Sequence, residues 1–504
     1  MPRASPKPAT FTGIAAAGCA VLLAAGAAGP AVTRPLWHDE LFTLYLAGRT
    51  TVTGLWEALV RATDLNPPLY YIAVKVCMTL LGEGALATRL PALLGFVAAS
   101  LALFVFMRRR AGVTVAVMAA IIPSLTGAYR YSFNGRPYGL VLGLCAMALV
   151  AWQARGLAGS HRLAPVLCAV SLAAAISTHY YAVLMLPPLA AGEIARTLIR
   201  KQVDWTMALA LVLGLTPLVL FRPLIVGTRD FAGAFWSPGT PADLSTFYLD
   251  LFNPLGLLLF GAACALTLAI LWHRFVRAFA PPSASPTPAD RILPADEVVV
   301  ALALAALPVF GFALALITGA FHGRYVLPAV LGVAILIGWW TAAGLRDRRF
   351  ATVFVGVLFL AFAARQMDGA LAIARGPADH VEPYRQILSR AEADAPVVAS
   401  RALTFLPMAH YLAGPERARV IYLTRPADVV RQDGGDTGSR ALRLLSQVVP
   451  LNVEDYNSFV AAHERFYLYG PTSWLTRKLL RDHAELRLLF ESGESQLHAV
   501  RMPR

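Results

Sequence analysis

The feature that most constrains this chain is a series of long apolar runs that recurs over residues 11–365. A helix that crosses the hydrocarbon core of a bilayer needs roughly 20 apolar residues, which is the length of the longer runs. Only 15% of the 504 residues are charged, well below the average of about 25% in soluble proteins. We therefore predict an integral membrane protein, and the composition excludes a soluble Rossmann or barrel enzyme.

About eleven runs qualify as membrane-spanning helices, each bounded by charge or by Gly and Pro. They lie near residues 11–32, 89–107, 111–128, 138–153, 163–178, 180–195, 205–221, 251–272, 298–319, 325–341 and 350–365. If the N-terminus is cytoplasmic, every inner connection carries Arg or Lys, as in the cluster Arg108–Arg110, and the positive-inside rule is satisfied throughout. Because the number of spans is odd, residues 366–504 are predicted to lie outside the cytoplasmic membrane.

Four further segments complete the expected topology. Residues 67–82 are apolar but short and carry Lys75, so we predict a helix of roughly 15 residues in the outer membrane interface. The first run is interpreted as an uncleaved span rather than a signal peptide, since many equally apolar runs follow it. The stretch at 280–290, rich in Pro, Ser and Ala, is predicted to be an inner linker. The loop 222–250 is predicted to be either a lid or an ordinary interface loop.

Charge and cysteine content add little about partners. The formal net charge is +14, but in a membrane protein basic residues gather in cytoplasmic loops for reasons of topology, so no nucleic-acid partner is predicted. All five cysteines lie in apolar stretches. Neither a disulfide framework nor a clustered-Cys zinc site is therefore expected.

The polar region after residue 365 reads as a separate small domain. It contains strand-like runs and helical stretches in alternation, which predict an α/β fold. The expected strands are 396–400, 419–423, 466–470, 486–492 and 496–502, and the expected helices are 381–393 and 473–483. The predicted domains are thus a transmembrane domain over 1–365, which includes an outer loop at 33–88, and an extracytoplasmic α/β domain over 366–504.

Two adjacent carboxylates, Asp39 and Glu40, follow the first span, next to Trp37 and His38. Neighbouring residues on a helix point in different directions, so we predict that one carboxylate enters a cavity while the other pairs with a basic neighbour. A carboxylate at a lipid boundary suits a general base, because partial desolvation raises its proton affinity while an adjacent cation keeps it ionised. The alternative is that both residues only cap and solubilise the helix that begins near Leu41.

Other outer segments carry basic and aromatic side chains at the ends of spans. Arg89, Arg136 and Arg324 lie where the positive-inside rule makes arginine less expected. Outer arginines near lipid headgroups suit bidentate binding of a phosphate, although each alone is also typical of a snorkelling interface anchor. The further candidates for lining the same cavity are His38, Asn66, Tyr70, Tyr138, His179, Tyr180, His322 and Tyr325.

Together these segments resemble the polyprenyl-phosphate-sugar-dependent membrane glycosyltransferases of the GT-C fold. The resemblance is to the branch, similar to glycosyltransferase family 39, that contains protein O-mannosyltransferases and lipid A aminoarabinose transferases. By architecture it covers about residues 11–365. The matching residues are Asp39-Glu40, Pro67–Tyr71, Arg89–Pro91, Arg136–Tyr138 and Arg324-Tyr325. The chain departs from the family at Asn66, where relatives usually have His before the Pro-Pro pair, so that His has no counterpart here.

The resemblance implies transfer of a sugar from an undecaprenyl- or dolichyl-type phosphate to an acceptor hydroxyl at the extracytoplasmic face of the plasma (inner) membrane. It gives Asp39 the role of catalytic base and Glu40 that of its partner. It also implies that Arg89, Arg136 and Arg324 hold the lipid phosphate. The acceptor is a lipid, a glycan or a protein. No cofactor is assigned, because His38 and Asp39 lack a second ligand cluster, but a divalent ion between carboxylate and phosphate is an open alternative.

Direct displacement fits these groups, because a lipid-phosphate sugar already carries its leaving group. Such a displacement inverts the configuration of the anomeric centre.

The main rival function is a transporter or flippase for a lipid-linked or hydrophobic solute, which predicts mid-membrane ionisable residues and repeat symmetry. The polar residues instead cluster at one face and we find no internal repeat. A third alternative, a membrane scaffold, leaves Asp39 and the arginines without a function.

Overall fold

The structure is a computed structural model that describes residues 8–157, 162–228, 239–253, 294–344, 348–377, 379–433 and 435–503. The chain divides into two compact units. The first unit comprises Met1–Val32, Arg89–Phe221 and Gly239–Arg375, and the second comprises Thr33–Thr88, Arg222–Pro238 and Gly376–Arg504. Nearly all of the predicted span 251–272, the linker 280–290 and the centre of the loop 222–250 lie outside the described residues.

The described part of the first unit is helical. Its helices, numbered in chain order through both units, are α1 Pro8–Thr33, α5 Ala85–Leu125, α6 Tyr138–Arg155, α7 Ala164–Thr178, α8 Leu186–Arg200, α9 Trp205–Leu213, α10 Thr216–Leu220, α12 Ala242–Phe252, α13 Ala295–Ala305, α14 Leu307–Thr318, α15 Ala329–Gly344 and α16 Arg348–Arg375. Three short 3-10 helices, Gly127–Ser132, Tyr180–Met185 and Gly323–Val326, join them. α5 is broken at Gly112, where φ is 83°, a value that glycine adopts readily. The break follows the predicted inner connection at Arg108–Arg110.

Several of these helices are long and apolar enough to cross a membrane. Among the described residues there are five: Thr12–Thr33, Ala85–Leu125, Tyr138–Arg155, Tyr180–Arg200 and Val353–Arg375. Two bent helix pairs raise the number to as many as seven if each pair is one span. The predicted count of about eleven is therefore not confirmed, although shorter apolar helices exist at two further predicted spans, Ala164–Thr178 and Ala329–Ala342.

Glycines allow close approach between helices in the first unit. Gly26 and Gly29 on α1 face Gly369 on α16 so closely that a methyl group at any of them would meet the opposing backbone. Gly95 on α5 and Gly143 on α6 are in similar contact. Small residues at such crossings let the helix backbones approach closely. This matters in a membrane because van der Waals packing, and not the hydrophobic effect, drives helix association there.

A buried ionic network joins α5, next to its break at Gly112, to the ends of α6, α8 and α13. The Arg196 guanidinium donates to Asp296 at 2.9 Å and to Glu193 at 3.1 Å, and its Cζ lies 3.9 Å from the centroid of the Trp152 ring. The Trp152 indole N–H also donates to Glu193, at 3.0 Å. A second pair belongs to the same network: Arg110 and Glu297 meet through two guanidinium nitrogens, the shorter contact being 2.6 Å. The positive-inside rule was a sufficient explanation for these arginines, so the sequence did not indicate that they form a network.

The second unit combines the outer segment 33–88 with the C-terminal residues. Its helices are α2 His38–Arg49, α3 Val52–Val60, α4 Leu69–Leu81, α11 Arg222–Thr228, α17 Glu382–Leu388, α18 Ala402–Tyr411, α19 Gly414–Ala418, α20 Pro426–Asp433, α21 Thr437–Leu445, α22 Tyr456–Ala462 and α23 Trp474–Arg481. The helix predicted between 67 and 82 is confirmed as α4. Its place in the membrane interface stays a prediction.

One sheet of six strands forms the centre of the C-terminal part. The strands are β1 Val397–Ala399, β2 Val420–Thr424, β3 Val453–Asp455, β4 Arg465–Gly470, β5 Glu485–Ser492 and β6 Ser495–Arg501, in the order β3-β2-β1-β4-β6-β5. The four strands from β3 to β4 are parallel, and β6 is antiparallel to both neighbours. All five predicted strands are present. β3 was missed because it is short and carries two acids, and the first predicted helix is confined to α17.

Candidate functional site

The carboxylate pair lies at the first turn of α2. Trp37 is extended, with φ −93° and ψ 174°, and α2 begins at His38. The Glu40 carboxylate reaches back and accepts a hydrogen bond from the Trp37 N–H at 3.2 Å. Glu40 as a whole is only 1% exposed. A helix leaves its first N–H groups without helical partners, so this carboxylate satisfies part of that need and also stabilises the positive end of the helix dipole.

Asp39 has a different environment from Glu40. Its side chain is 22% exposed, and Oδ1 lies 3.2 Å from Nδ1 of His38. The His38 ring is buried against Phe42, with the ring centroids 5.1 Å apart. Glu40 is thus committed to the backbone of α2, whereas Asp39 is the more open of the two carboxylates and has an imidazole beside it.

The other candidates in this unit are held in place by hydrogen bonds. Asn66 is buried, and its amide donates to Asp64 Oδ1 at 3.1 Å. Tyr70 is also buried, and its hydroxyl donates to the Thr88 carbonyl at 3.1 Å. Asp64 was missed by sequence reasoning, although an acid two residues before an Asn-Pro pair is a recognisable turn signal. It fixes Asn66 at the position where relatives of the resembled family usually carry His.

Lys75 on α4 holds the other end of α2. Its Nζ donates to the Ala47 carbonyl at 3.0 Å and to the Thr50 carbonyl at 2.7 Å. A cation at a helix C-terminus satisfies carbonyls that have no helical partner and stabilises the negative end of the dipole. α2 is therefore anchored at its C-terminal end by the helix that follows Asn66.

In the first unit, the structure brings five of the predicted residues together: Tyr138, His179, His322, Arg324 and Tyr325. The Tyr325 ring is central to this aromatic cluster. Its centroid lies 5.0 Å from that of His179, 6.4 Å from that of Tyr138 and 6.1 Å from that of His322. The Arg324 Cζ lies 5.3 Å from the Tyr138 centroid and 5.7 Å from the Tyr325 centroid. An arginine over two tyrosine rings is stabilised by cation–π attraction, and its planar guanidinium is suited to binding an anion.

One aromatic residue of the cluster was absent from the predicted set. Tyr181 lies 4.8 Å from Tyr325 between ring centroids and shares a hydrogen bond with Thr318 at 2.7 Å. The adjacent Tyr180, which was predicted, has a buried hydroxyl that makes no hydrogen bond to any described residue. The sequence signal was available, because both tyrosines follow His179 directly, but a short 3-10 helix decides which ring points toward Tyr325.

The two histidines of the cluster have the same backbone role. His179 Nδ1 accepts a hydrogen bond from the Tyr181 N–H at 3.2 Å, and His322 Nδ1 accepts one from the Arg324 N–H at 3.3 Å. Each imidazole thereby caps a 3-10 helix. A ring nitrogen that accepts a hydrogen bond carries no proton, so each neutral ring holds its proton on Nε2, which makes Nε2 a donor.

The remaining two arginines are both buried. Arg89 is 2% exposed and donates through Nη1 to the carbonyls of Ala31 at 3.0 Å and Pro30 at 3.3 Å. It therefore holds carbonyls near the end of α1. Arg136 is 6% exposed and follows a turn in which its own N–H donates to the Asn134 carbonyl at 2.8 Å.

The predicted residues are thus distributed over both units. His38, Asp39, Glu40, Asn66 and Tyr70 belong to the second unit, and Arg89, Arg136, Tyr138, His179, Tyr180, His322, Arg324 and Tyr325 belong to the first. In the part of the chain that the structure describes, no group of three or more His, Cys, Asp or Glu side chains is arranged to hold a metal ion. The described cysteines, Cys19, Cys77, Cys145 and Cys168, are all free.

The fold resembles that of solved membrane enzymes. ArnT from Cupriavidus metallidurans, in the crystal structure bound to undecaprenyl phosphate, aligns over 98% of both chains with a TM-score of 0.55 and 15% identity. The apo structure of the same protein aligns over 98% of both chains with a TM-score of 0.56 and 15% identity. No protein-family model and no curated protein sequence matches the chain.

This likeness over nearly the full length shows the fold. The predicted resemblance to the GT-C membrane glycosyltransferases is confirmed at that level. Together with the apolar helices, it shows a multi-pass membrane protein that carries a small C-terminal sheet domain.

Proposed function

We propose that this protein transfers a sugar from a polyprenyl-phosphate donor to an acceptor hydroxyl at the extracytoplasmic face of the plasma membrane. The observation that carries the proposal is the division of labour between Asp39 and Glu40 in a chain with the fold of ArnT. Glu40 is buried and hydrogen-bonded to the backbone of Trp37, whereas Asp39 is partly exposed beside His38. The Glu40 carboxylate stabilises the helix terminus, and the Asp39 carboxylate is the more exposed of the two.

In this proposal Asp39 is the general base. The acceptor O–H gives its proton to Asp39 while the acceptor oxygen attacks the anomeric carbon of the sugar. The bond between that carbon and the phosphate oxygen breaks, and polyprenyl phosphate leaves with the electron pair. Attack from the side opposite the leaving group inverts the anomeric centre, and no covalent intermediate on the enzyme is needed.

The aromatic cluster of the first unit is the proposed binding site for the donor phosphate. Arg324 and Arg136 supply positive charge, and the Nε2–H groups of His179 and His322 are additional donors in the same cluster as Arg324. Fixed donors stabilise the charge that grows on the leaving phosphate without reorganising during the reaction. Arg89 contributes by holding the end of α1, where its guanidinium already meets two carbonyls. Tyr138, Tyr181 and Tyr325 provide aromatic faces suited to a sugar ring.

The proposal includes a divalent ion at the Asp39 carboxylate. Asp39 would hold the ion through its carboxylate, since hard cations favour oxygen ligands, and the ion would supply positive charge to the leaving phosphate. Turnover measured after EDTA treatment, and again after Mg²⁺ or Mn²⁺ is restored, tests this point. Loss and recovery of activity would support the ion, and unchanged turnover would remove it.

The experiment that tests the function uses purified protein in proteoliposomes with radiolabelled undecaprenyl-phosphate sugars and a set of lipid, glycan and peptide acceptors. We expect one donor to be consumed, with the product sugar inverted at the anomeric carbon as read by NMR coupling constants. Asp39→Asn should lower the rate of consumption by about 100- to 10,000-fold but retain donor binding. Glu57→Gln is the matched control, because Glu57 is an exposed acid on α3 in the same outer segment.

The rival function has its own outcome in the same vesicles. If no donor is consumed with any acceptor while labelled lipid or solute crosses the membrane, the protein is a transporter or flippase. Transport that is equal in wild type and Asp39→Asn would also remove the assignment of Asp39. The two results are distinguished by the chemical form of the label, which stays lipid-linked during transport and moves to the acceptor during transfer.

A further inference from the structure

The C-terminal sheet domain contributes one helix, α18, that contacts the segment carrying Asp39 within the second unit. Tyr411 at the end of α18 directs its hydroxyl at the backbone of Leu36. The hydroxyl oxygen accepts a hydrogen bond from the Leu36 N–H at 2.5 Å, and the hydroxyl donates to the Leu36 carbonyl with an O···O distance of 3.3 Å. Leu36 precedes Asp39 by three residues in the sequence. A single side chain therefore holds both polar backbone groups of a residue next to the start of α2.

Neither polar group of Leu36 belongs to a regular helix. Residues 35–37, between α1 and α2, form neither helix nor strand, and Leu36 is only 4% exposed. Buried backbone N–H and C=O groups need partners, and outside secondary structure a side chain must supply them. The Tyr411 hydroxyl does this for Leu36, so the path of the chain into α2 depends on it.

A second contact made by α18 lies within α2 itself. The Tyr45 hydroxyl and His410 Nδ1 share a hydrogen bond of 2.8 Å, and the two rings meet edge to face with centroids 5.7 Å apart. Burial first, and then the nearby Arg417, lower the pKa of His410 to about 4, so the imidazole is neutral near pH 7 and its hydrogen bond to Tyr45 needs no ion. Adjacent residues of α18 thus fix α2 at two points.

We propose that α18 is a positioning element for the catalytic carboxylate and that Tyr411 is its main positioning residue. This inference rests on the proposed function and gives the C-terminal domain a role in it. Tyr411 acts through the backbone of Leu36 and does not touch the substrate. A general base must come within hydrogen-bond reach of the proton it takes, and a displacement of about 1 Å is enough to cost up to about 100-fold in rate.

This role differs from selection of the acceptor by the same domain. A positioning residue affects the step in which Asp39 takes part, so its loss lowers kcat to the same degree for every acceptor. A binding surface for acceptors would instead change KM for one acceptor class and leave kcat unchanged. The two roles therefore predict different kinetic parameters.

The test uses the full-length protein in proteoliposomes with Tyr411→Phe, which keeps the ring and removes only the hydroxyl. We expect kcat to fall by about 10- to 100-fold with KM for the donor unchanged. Tyr45→Phe should lower kcat in the same direction. Tyr456→Phe is the control, because the Tyr456 hydroxyl bonds to Asp482 at 2.7 Å in the same domain but has no part in holding α2. It should keep the wild-type kcat.

Two outcomes would overturn the inference. One is a wild-type kcat in Tyr411→Phe, and the other is an equal loss in Tyr411→Phe and Tyr456→Phe, which would indicate general destabilisation. A raised KM for one acceptor with unchanged kcat would replace positioning with acceptor binding. If the wild type transfers no sugar, the proposed function itself fails. If the wild type is active and Asp39→Asn is inactive while Tyr411→Phe is normal, only the positioning role fails.

Hydrogen exchange supplies a readout that does not need activity. In Tyr411→Phe the Leu36 amide loses its acceptor, so peptides covering residues 34–41 should exchange faster than in the wild type. Peptides from the sheet should be unchanged. In Tyr456→Phe, exchange at 34–41 should match the wild type, and equal exchange at 34–41 in Tyr411→Phe and wild type would contradict the proposed contact.

Discussion

The Glu40 carboxylate accepts a hydrogen bond from the Trp37 N–H at 3.2 Å and thereby closes the first turn of α2. This bond uses one member of an adjacent carboxylate pair for structure. It also separates two roles that the sequence leaves ambiguous, since a helix cap and a catalytic base are both plausible for an Asp-Glu pair at a helix start.

Replacing Glu40 should reveal its structural role. Glu40→Ala leaves the Trp37 N–H without this charged acceptor and should lower the free energy of unfolding by about 1 to 3 kcal/mol. Glu40→Gln keeps an amide oxygen at the same position and should cost about 1 kcal/mol less than Glu40→Ala. Thermal unfolding in detergent compares the two. Equal destabilisation by both substitutions would show that the carboxylate charge, rather than the hydrogen bond, is what matters.

Arg324 should control donor binding. Its guanidinium lies over the rings of Tyr138 and Tyr325. Arg324→Lys keeps the charge but loses the planar fork, so we expect the Kd for undecaprenyl phosphate to rise by about 10-fold. Arg375→Gln is the control, because Arg375 is exposed and pairs with Asp368 on the same helix. Unchanged affinity in Arg324→Lys, or an equal loss in the control, would remove Arg324 from the phosphate site.

The neutral state of His410 gives the protein a pH-dependent stability. An unfolded histidine has a pKa near 6.5, whereas burial and then Arg417 lower the pKa of His410 in the fold to about 4. Between these values the unfolded chain binds a proton that the folded chain does not. The free energy of unfolding therefore falls as the pH drops from 6.5 toward 4, by an amount on the order of 2 kcal/mol.

The matching variant is His410→Asn, which offers Tyr45 a hydrogen-bonding group that does not titrate. Its stability should be less sensitive to pH over the same interval, as measured by thermal unfolding at pH 4.5, 5.5, 6.5 and 7.5, a series chosen to bracket the interval of about 4 to 6.5. A variant with the same slope as the wild type would show that another group causes the acid sensitivity.

The buried pair of Arg110 and Glu297 should matter for stability. Glu297 is 1% exposed and meets Arg110 through two nitrogens. Glu297→Gln removes the negative charge and leaves a largely buried guanidinium, which should cost about 3 kcal/mol. Glu83→Gln breaks the exposed pair with Arg49 and should cost less than about 1 kcal/mol. Similar losses in both variants would mean that the network contributes no more than a surface pair.

Much of the architecture could be predicted because it depends on local pattern. The apolar runs indicate membrane helices, and alternating residues indicate the strands of the C-terminal sheet. The sequence predicts two spans where α5 is broken at Gly112. It does not predict the close contact of α1 with α16, because Gly29 and Gly369 are far apart in sequence. β3 escaped detection because three residues are too few for a period to be recognised.

The types of residue in the candidate site could be predicted from the sequence, but most of their contacts could not. The Asp39-Glu40 pair, Arg324 and the aromatic residues near it are short motifs that carry their chemistry in the sequence. The contact between Tyr411 and Leu36 joins residues 375 positions apart, so no window of the sequence reports it. The structure shows Arg89 donating to two carbonyls near the end of α1, a contact that the sequence did not indicate, and its predicted role in phosphate binding stays a prediction.

The central claim is that Asp39 takes the proton of the acceptor. The most direct test is the transfer rate of Asp39→Asn with donor and acceptor both saturating, together with its Kd for the undecaprenyl-phosphate sugar. We predict a rate lower by about 100- to 10,000-fold, since that is the usual contribution of a general base, with the Kd unchanged. Transfer by Asp39→Asn at the wild-type rate would contradict the account.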